Sequence, residues 1–95
     1  MQERARSKLG RDEAESIAIQ ALGYLADRPE ERGRFLALAG LGPENLRAAA
    51  SDPAFLAGVI CFLLEDEPLL LAFAADAGLP PASVAAAGSA LGFAD

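Results

Sequence analysis

Five of the six prolines divide most of this chain into short segments, and they constrain the fold more than any other feature. They are Pro29, Pro43, Pro53, Pro68 and Pro81, and each stands ahead of an apolar run. Proline fits the first position of a helix, because the N–H that it lacks would have no partner there. It cannot continue a helix or pair centrally in a sheet. The pattern therefore predicts five short helices that begin at these prolines.

A further helix is predicted ahead of the prolines, over residues 12–26. Asp12 is the predicted N-cap, with Glu15 three residues later as in a capping box. Apolar residues then recur at spacings of three and four, which indicates an amphipathic helix. They are Ala14, Ile17, Ala18, Ala21, Leu22 and Leu25. No segment has the alternation of a strand, so the chain is predicted to be all-α.

Glycines mark two of the helix ends. Gly40 and Gly78 each precede a leucine, and a proline follows within three residues. A left-handed glycine at such a position closes a Schellman cap and brings the following apolar residue back onto the helix. We therefore predict helix ends at both glycines, with Leu41 and Leu79 folded back.

The two most apolar segments, Pro53–Leu64 and Pro68–Ala77, are separated by the acids Glu65, Asp66 and Glu67. A helix that is apolar nearly all round belongs in a core. The segments are predicted to form the central antiparallel pair of a compact orthogonal bundle of five to six short helices. Asp66 or Glu67 would cap the second helix at a solvent-exposed turn. Residues 11–95 are predicted to form one domain, and residues 1–10 a flexible tail.

Two segments of the chain are similar in sequence, and two interpretations of this similarity are open. "FLALAGLGPENLRAA" from Phe35 and "FAADAGLPPASVAAA" from Phe73 align without gaps at an offset of 38 residues. The similarity reflects either similar capping chemistry at two helix ends or a duplicated helical pair.

Charge and apolar length disfavour two classes of partner. The net charge is −6 and the pI near 4.5, so the chain as a whole repels nucleic-acid phosphates and anionic membranes. The longest uninterrupted apolar run, Ala54–Leu64, is shorter than the roughly 20 residues that cross a bilayer. The N-terminus carries charges and no apolar signal segment. The cytoplasm is the expected location.

The residue types of the chain argue against catalysis and metal binding. The chain has no histidine and one cysteine, which excludes a Ser-His-Asp triad and leaves no zinc ligand set. Cys61 lies in an apolar helix, where a buried structural cysteine is expected. Glu65–Glu67 lack the pattern of a calcium loop. We predict no enzyme, cofactor or metal; a carboxylate-dependent hydrolase at Glu65–Glu67 would need a bound divalent cation.

One segment suggests an alternative function. "LAGLGPENLRAA", Leu38 to Ala49, resembles the helix-hairpin-helix motif that presents backbone N–H groups to a DNA phosphate. In that interpretation Gly40 and Gly42 form the hairpin and Arg47 contacts the phosphate. Glu44 departs from the motif, because it places an acid where a basic or neutral residue is wanted.

Three longer pieces carry a family resemblance. "ALGYLA", "FLALAGLGPENLRAAASDPAFLAGVICFLLEDE" and "AFAADAGL" resemble a family of short alphaproteobacterial proteins known as domain of unknown function 3572. The resemblance covers about residues 15–92. In that family the position of Cys61 is commonly aspartate, so this chain departs there. The resemblance implies a small intracellular helical protein, and brings no activity, cofactor or catalytic residue.

The leading functional hypothesis is a non-enzymatic adaptor or protein-interaction module. Hydrophobic residues make up 53% of the chain, more than a thin core of this size readily hides. The surplus is expected to contact an unidentified protein or a second copy of the chain. Tyr24, Leu91 and Phe93 are the predicted contact residues, because periodicity does not force burial at helix edges and ends.

Overall fold

A computed structural model describes residues 10–92 of the chain. The helices, numbered in chain order, are α1 (Arg11–Ala26), α2 (Pro29–Ala39), α3 (Leu46–Ala49), α4 (Pro53–Leu64), α5 (Glu67–Ala77) and α6 (Pro81–Ala90), with a 3₁₀ turn at Pro43–Asn45. No strand occurs among the described residues, so the predicted all-α class is confirmed. The predicted tail lies outside the described residues except for Gly10, which is the N-cap of α1.

The prolines and glycines act as the sequence predicts. Pro29, Pro53 and Pro81 are the first residues of α2, α4 and α6. Gly40 and Gly78 end α2 and α5 with φ angles of 73° and 72°, in the left-handed region. Side chains disfavour this region, so glycine is the residue that these ends require.

Both Schellman caps form through the residue after the glycine. The N–H of Leu41 donates to the carbonyl of Leu36 at 3.1 Å, and the N–H of Leu79 donates to that of Ala74 at 2.8 Å. These bonds satisfy carbonyls that a helix end would otherwise leave without partners.

Three helix starts differ from the predictions. Helix α1 begins at Arg11, because Gly10 precedes it and its N–H donates to Oε1 of Glu13 at 3.2 Å. Asp12 therefore lies in the first turn, and its prediction as the N-cap is wrong. Helix α5 begins one residue early, at Glu67. The helix predicted at Pro43 is a 3₁₀ turn followed by the single turn of α3.

The core forms where α1, α4 and α6 meet. Helix α1 makes its most extensive contacts with α6 and α4, while α5 packs on α4, and α2 contacts α1 and α4. The axes of α5 and α6 are bent by 101°, as an orthogonal bundle requires. Helix α4 is central, and α1 and α6 cover more of its surface than α5 does.

Small side chains let α1 approach its neighbours closely. Ala14, Ala18 and Ala21 are completely buried, and Ala87 is completely buried on α6. Alanine removes little apolar area from water, but it lets backbones and larger side chains of adjacent helices come near. Alanine therefore contributes to the core through close helix packing more than through buried area. The large exposed apolar residues among the described ones are Ile19, Leu38 and Leu71.

No single helix in residues 10–92 has both the length and the apolar character needed to cross a bilayer. Helices α5 and α6 reach that composition only together, across their 101° bend.

The acidic turn between α4 and α5 has the predicted capping role. Glu65 and Glu67 are exposed and Asp66 is half-buried. Oδ1 of Asp66 accepts from the N–H of Leu69 at 3.2 Å, and Oδ2 lies 3.3 Å from Nη2 of Arg34. Asp66 therefore caps α5 and connects it to α2.

Replacing Asp66 by alanine is expected to lower the free energy of unfolding by about 0.5–2 kcal/mol, the usual cost of losing an N-cap. Asp66→Asn retains a capping oxygen and loses the charge, so it should cost only a few tenths of a kcal/mol. Thermal unfolding of both variants measures the difference. Equal melting temperatures for Asp66→Ala and the wild type would show that the cap does not stabilise α5.

Candidate functional site: an apolar groove between α2 and α4

An open apolar cavity of about 420 Å³, here named the groove, lies between α2 and one face of α4. Its lining residues are Phe35, Leu38, Ala39, Asp52, Ala54, Phe55, Gly58, Cys61, Phe62 and Glu65. The members from α4 recur at spacings of three and four, so they share one side of that helix. The groove is thus a helix face that α2 covers only in part.

Three aromatic rings form the floor of the groove. The ring of Phe35 lies edge-on to Phe55 at a centroid distance of 5.5 Å and edge-on to Phe62 at 5.3 Å. Phe35 and Phe62 are buried, and Phe55 is half-buried. Edge-to-face pairs add about 0.5–1.5 kcal/mol beyond burial of area, so the floor is held in one arrangement.

The rim of the groove exposes apolar surface. Leu38 is 77% exposed, the largest value among the described exposed large hydrophobics. Gly58 lies midway along the α4 face, where an added Cβ would meet no atom within 4 Å. The fold therefore leaves free space above Gly58.

A second depression of about 320 Å³ continues the groove towards the acidic turn. The two share Leu38, Phe62 and Glu65. Here the guanidinium of Arg34 lies 5.2 Å from the centroid of Phe62 and also pairs with Asp66. The ion pair and the ring hold the arginine beside the groove.

Cys61 lies on the groove wall and is half-buried. The expectation of a buried cysteine is wrong in this respect, because the α4 face that carries Cys61 is only partly covered. Its Sγ–H donates to Oε2 of Glu65 at 3.7 Å. Burial raises the pKa of the thiol, and the negative charge and hydrogen bond of Glu65 raise it further. A raised pKa lowers the thiolate fraction at neutral pH, so the thiol is a weak nucleophile.

Alkylation of Cys61 is expected to be slower than that of a free thiol at pH 8, because less thiolate is present. Glu65→Gln removes the charge that raises the pKa and should speed alkylation, while burial keeps the rate below that of a small free thiol. Maleimide or iodoacetamide kinetics between pH 7 and 10 measure both rates. An unchanged pH profile in Glu65→Gln would contradict the assigned role of the carboxylate.

Gly58→Ala is expected to raise the free energy of unfolding by about 0.5–1 kcal/mol, because glycine in a helix interior is disfavoured relative to alanine. Gly23→Ala, in the interior of α1, should give the same gain, since a Cβ there also meets no atom within 4 Å. Urea unfolding measures both. Destabilisation by Gly58→Ala alone would mean that the space above Gly58 is filled.

The residues predicted to contact a partner lie elsewhere. Tyr24 is half-buried, with its ring 5.5 Å from that of Phe73 and 4.2 Å from the Arg28 guanidinium. Leu91 is only 8% exposed and belongs to the core, so the expectation that burial is not forced there is wrong. It follows α6 directly and packs with it. Phe93 lies outside the described residues.

The predicted phosphate-binding turn has a geometry that opposes its role. The N–H of Gly42 already donates to Oδ1 of Asn45 at 3.2 Å. A Cβ on Gly42 would lie 2.7 Å from a carboxylate oxygen of Glu44, so that carboxylate folds over the turn. Gly40 caps α2, and Arg47 is exposed on the single turn of α3. Nucleic-acid binding here stays a prediction that no contact supports.

Sequence reasoning missed the groove, although one signal pointed to it. Gly58 is an isolated glycine inside an otherwise apolar helix, where glycine is disfavoured and needs a reason. Leu38 gave no signal, because it follows Phe35 by three residues and shares the spacing of a core position.

The described residues contain no group of three or more acidic or cysteine side chains placed to hold a metal ion. None of their polar or charged residues is buried.

The comparisons with known proteins identify a family. The model of the family described as "Protein of unknown function (DUF3572)" matches residues 11–93. The chain belongs to this family. The family predicted from the sequence is thereby confirmed, and the matched residues contain helices α1 to α6 and the whole groove. No curated protein and no solved structure matches the chain.

Proposed function

We propose that the protein is a non-enzymatic protein-interaction module and that its groove binds the partner. The observation that carries this proposal is Leu38, 77% exposed on the rim of an aromatic-floored cavity of about 420 Å³. Exposed apolar surface next to a concave apolar floor is typical of protein-binding grooves. Leu38 can anchor the groove on a partner, and the aromatic floor can receive an apolar side chain of that partner.

The polar groups of the groove favour a protein over a small ligand. Small-molecule pockets combine apolar walls with a few convergent polar groups that orient the ligand. The carboxylate of Asp52 instead accepts from the N–H of Ala54 at 3.0 Å and caps α4. Glu65 accepts from Cys61. The two carboxylates lie at opposite ends of α4 and do not converge on one ligand, so the floor between them recognises shape and apolar character.

The chemistry of the groove also favours binding over catalysis. Its thiol has a raised pKa and a carboxylate as its hydrogen-bond partner. A nucleophilic cysteine needs the opposite, a lowered pKa beside a cation or a base.

Partner capture with matched glycine variants tests the proposal. Gly58→Gln extends a polar side chain into the groove, whereas Gly23→Gln makes the same change on α1. Glutamine is a good helix former, so both variants should fold. Leu38→Gln removes the apolar rim. The wild type and Gly23→Gln should retain the same cytoplasmic protein, and both groove variants should lose it by at least about tenfold, or 1.4 kcal/mol.

Two results would overturn the proposal. Equal retention by all four proteins would place binding outside the groove. No retained protein, together with no binding of a hydrophobic dye and a monomeric mass, would show that the surface has no affinity for apolar partners.

A further inference from the structure

The two ends of the groove carry the same sign of charge. Asp52 lies at one end, and Glu65, Asp66 and Glu67 lie at the other. Arg34 is the one cation among the described residues that line the two cavities, and it pairs with Asp66 at 3.3 Å. A bound segment therefore meets Asp52 at one end of the apolar floor and Glu65 and Glu67 at the other.

The distance between the acidic ends sets the length of the occupant. Asp52 and Glu65 bracket the twelve residues of α4. At 1.5 Å per residue, the apolar floor between them is about 18 Å long. A partner helix of roughly three turns covers this length, with apolar residues at three- and four-residue spacings facing the floor.

Charge also distinguishes the candidate occupants. A second copy of this chain that presented its own groove would bring a second set of carboxylates against the first. Like charges brought together in this way disfavour association. A cationic segment gains at both ends.

Gly58 marks the place on the floor where a side chain of the partner would fit. It lies on the groove wall near the middle of α4, and no described atom fills the space above it. A bulky apolar side chain of the partner can therefore approach the α4 backbone here.

We infer that the groove binds a basic amphipathic helix of a partner protein, about three turns long, with Lys or Arg near both ends of its apolar face. This inference rests on the proposed function. The apolar face of the partner lies on Phe35, Phe55 and Phe62, with an anchor residue above Gly58. Its basic ends pair with Asp52 and with the Glu65–Glu67 turn.

Two designed peptides test the inference. Both carry leucine at the same helical positions, and one has lysine and the other glutamate at every polar position. Fluorescence anisotropy at low and high salt gives their affinities for the full chain. The lysine peptide should bind at least tenfold more tightly than the glutamate peptide, and salt should weaken it. Bound peptide should also slow alkylation of Cys61.

Matched variants locate the binding. Gly58→Gln and the double variant Asp52→Asn/Glu65→Gln should each weaken the lysine peptide at least tenfold. Asparagine keeps a capping oxygen at position 52, so the fold is retained. Gly23→Gln and the double variant Glu30→Gln/Asp76→Asn change the same kinds of residue outside the groove. Both controls should bind like the wild type.

Each contrary result has a separate meaning. Equal binding of both peptides, lost in Gly58→Gln, overturns the basic partner and leaves the groove as a binding site. Lysine-peptide binding that survives Gly58→Gln is general attraction to an acidic protein and overturns the inference. No binding of either peptide also overturns it, while the capture experiment still judges the proposed function.

Discussion

Replacing Phe73 by alanine is expected to lower the free energy of unfolding by about 3–5 kcal/mol. Phe73 is 1% exposed and is the largest of the fully buried side chains among the described residues. Its ring lies edge-on to that of Tyr24, at a centroid distance of 5.5 Å. Alanine would remove the ring from the core and leave a cavity that close-packed neighbours fill only in part. Domains of this size have total stabilities of roughly 5–14 kcal/mol, so the variant should be partly unfolded in mild denaturant.

Urea unfolding followed by circular dichroism measures this loss. Leu71→Ala is the matched control, because Leu71 lies two residues earlier on α5 and is 46% exposed. It should cost less than about 1 kcal/mol. Phe73→Leu should fall between the two. Similar midpoints for Phe73→Ala and Leu71→Ala would contradict the assignment of Phe73 to the core.

Replacing Ala18 by leucine is expected to lower the free energy of unfolding by about 1–3 kcal/mol, although leucine is the more hydrophobic residue. Ala18 is completely buried on the face of α1 that packs against α4 and α6. A larger side chain would force these helices apart or into strained rotamers, because close-packed interiors have few voids that could take three additional carbon atoms.

The control for Ala18 is the same substitution at an exposed alanine. Ala85→Leu, on the exposed side of α6, should change stability by no more than about 0.5 kcal/mol. Thermal unfolding should show a loss of several degrees for Ala18→Leu alone. A stabilised Ala18→Leu would show that α1 packs loosely enough to accept a larger side chain.

Helix starts and ends were largely predictable because the residues that set them act locally. Proline excludes itself from helix interiors, and a left-handed glycine ends a helix wherever the next residues allow the cap. The start of α1 was harder to predict, because two pairs of residues could form the same local cap. Asp12 with Glu15 and Gly10 with Glu13 have the same three-residue spacing, and the structure forms the second pair.

Burial of single residues was harder to predict, because it depends on which helices meet. Helix α4 is apolar nearly all round, so its sequence does not show which side stays uncovered. The structure leaves open the side with Gly58 and Cys61, and the cysteine is half-buried as a result. Leu91 shows the reverse. It lies at a helix end, where periodicity does not force burial, yet it packs into the core directly after α6.

The exposure of Leu38 also depends on how the helices meet. Leu38 has the spacing of a core residue, because it follows the buried Phe35 by three positions, yet it is 77% exposed. Residue patterns within α2 therefore do not show whether Leu38 faces protein or solvent.

The packing of α1 against α6 has a consequence for how the chain is made. These helices form the most extensive contact, yet the end of α1 and the end of α6 are 64 residues apart in the sequence. A ribosome adding 5–20 residues per second leaves roughly 3–13 s between their appearances. During that interval α1 can pack on α4, which emerges earlier, while the part of its alanine face that contacts α6 stays open to solvent.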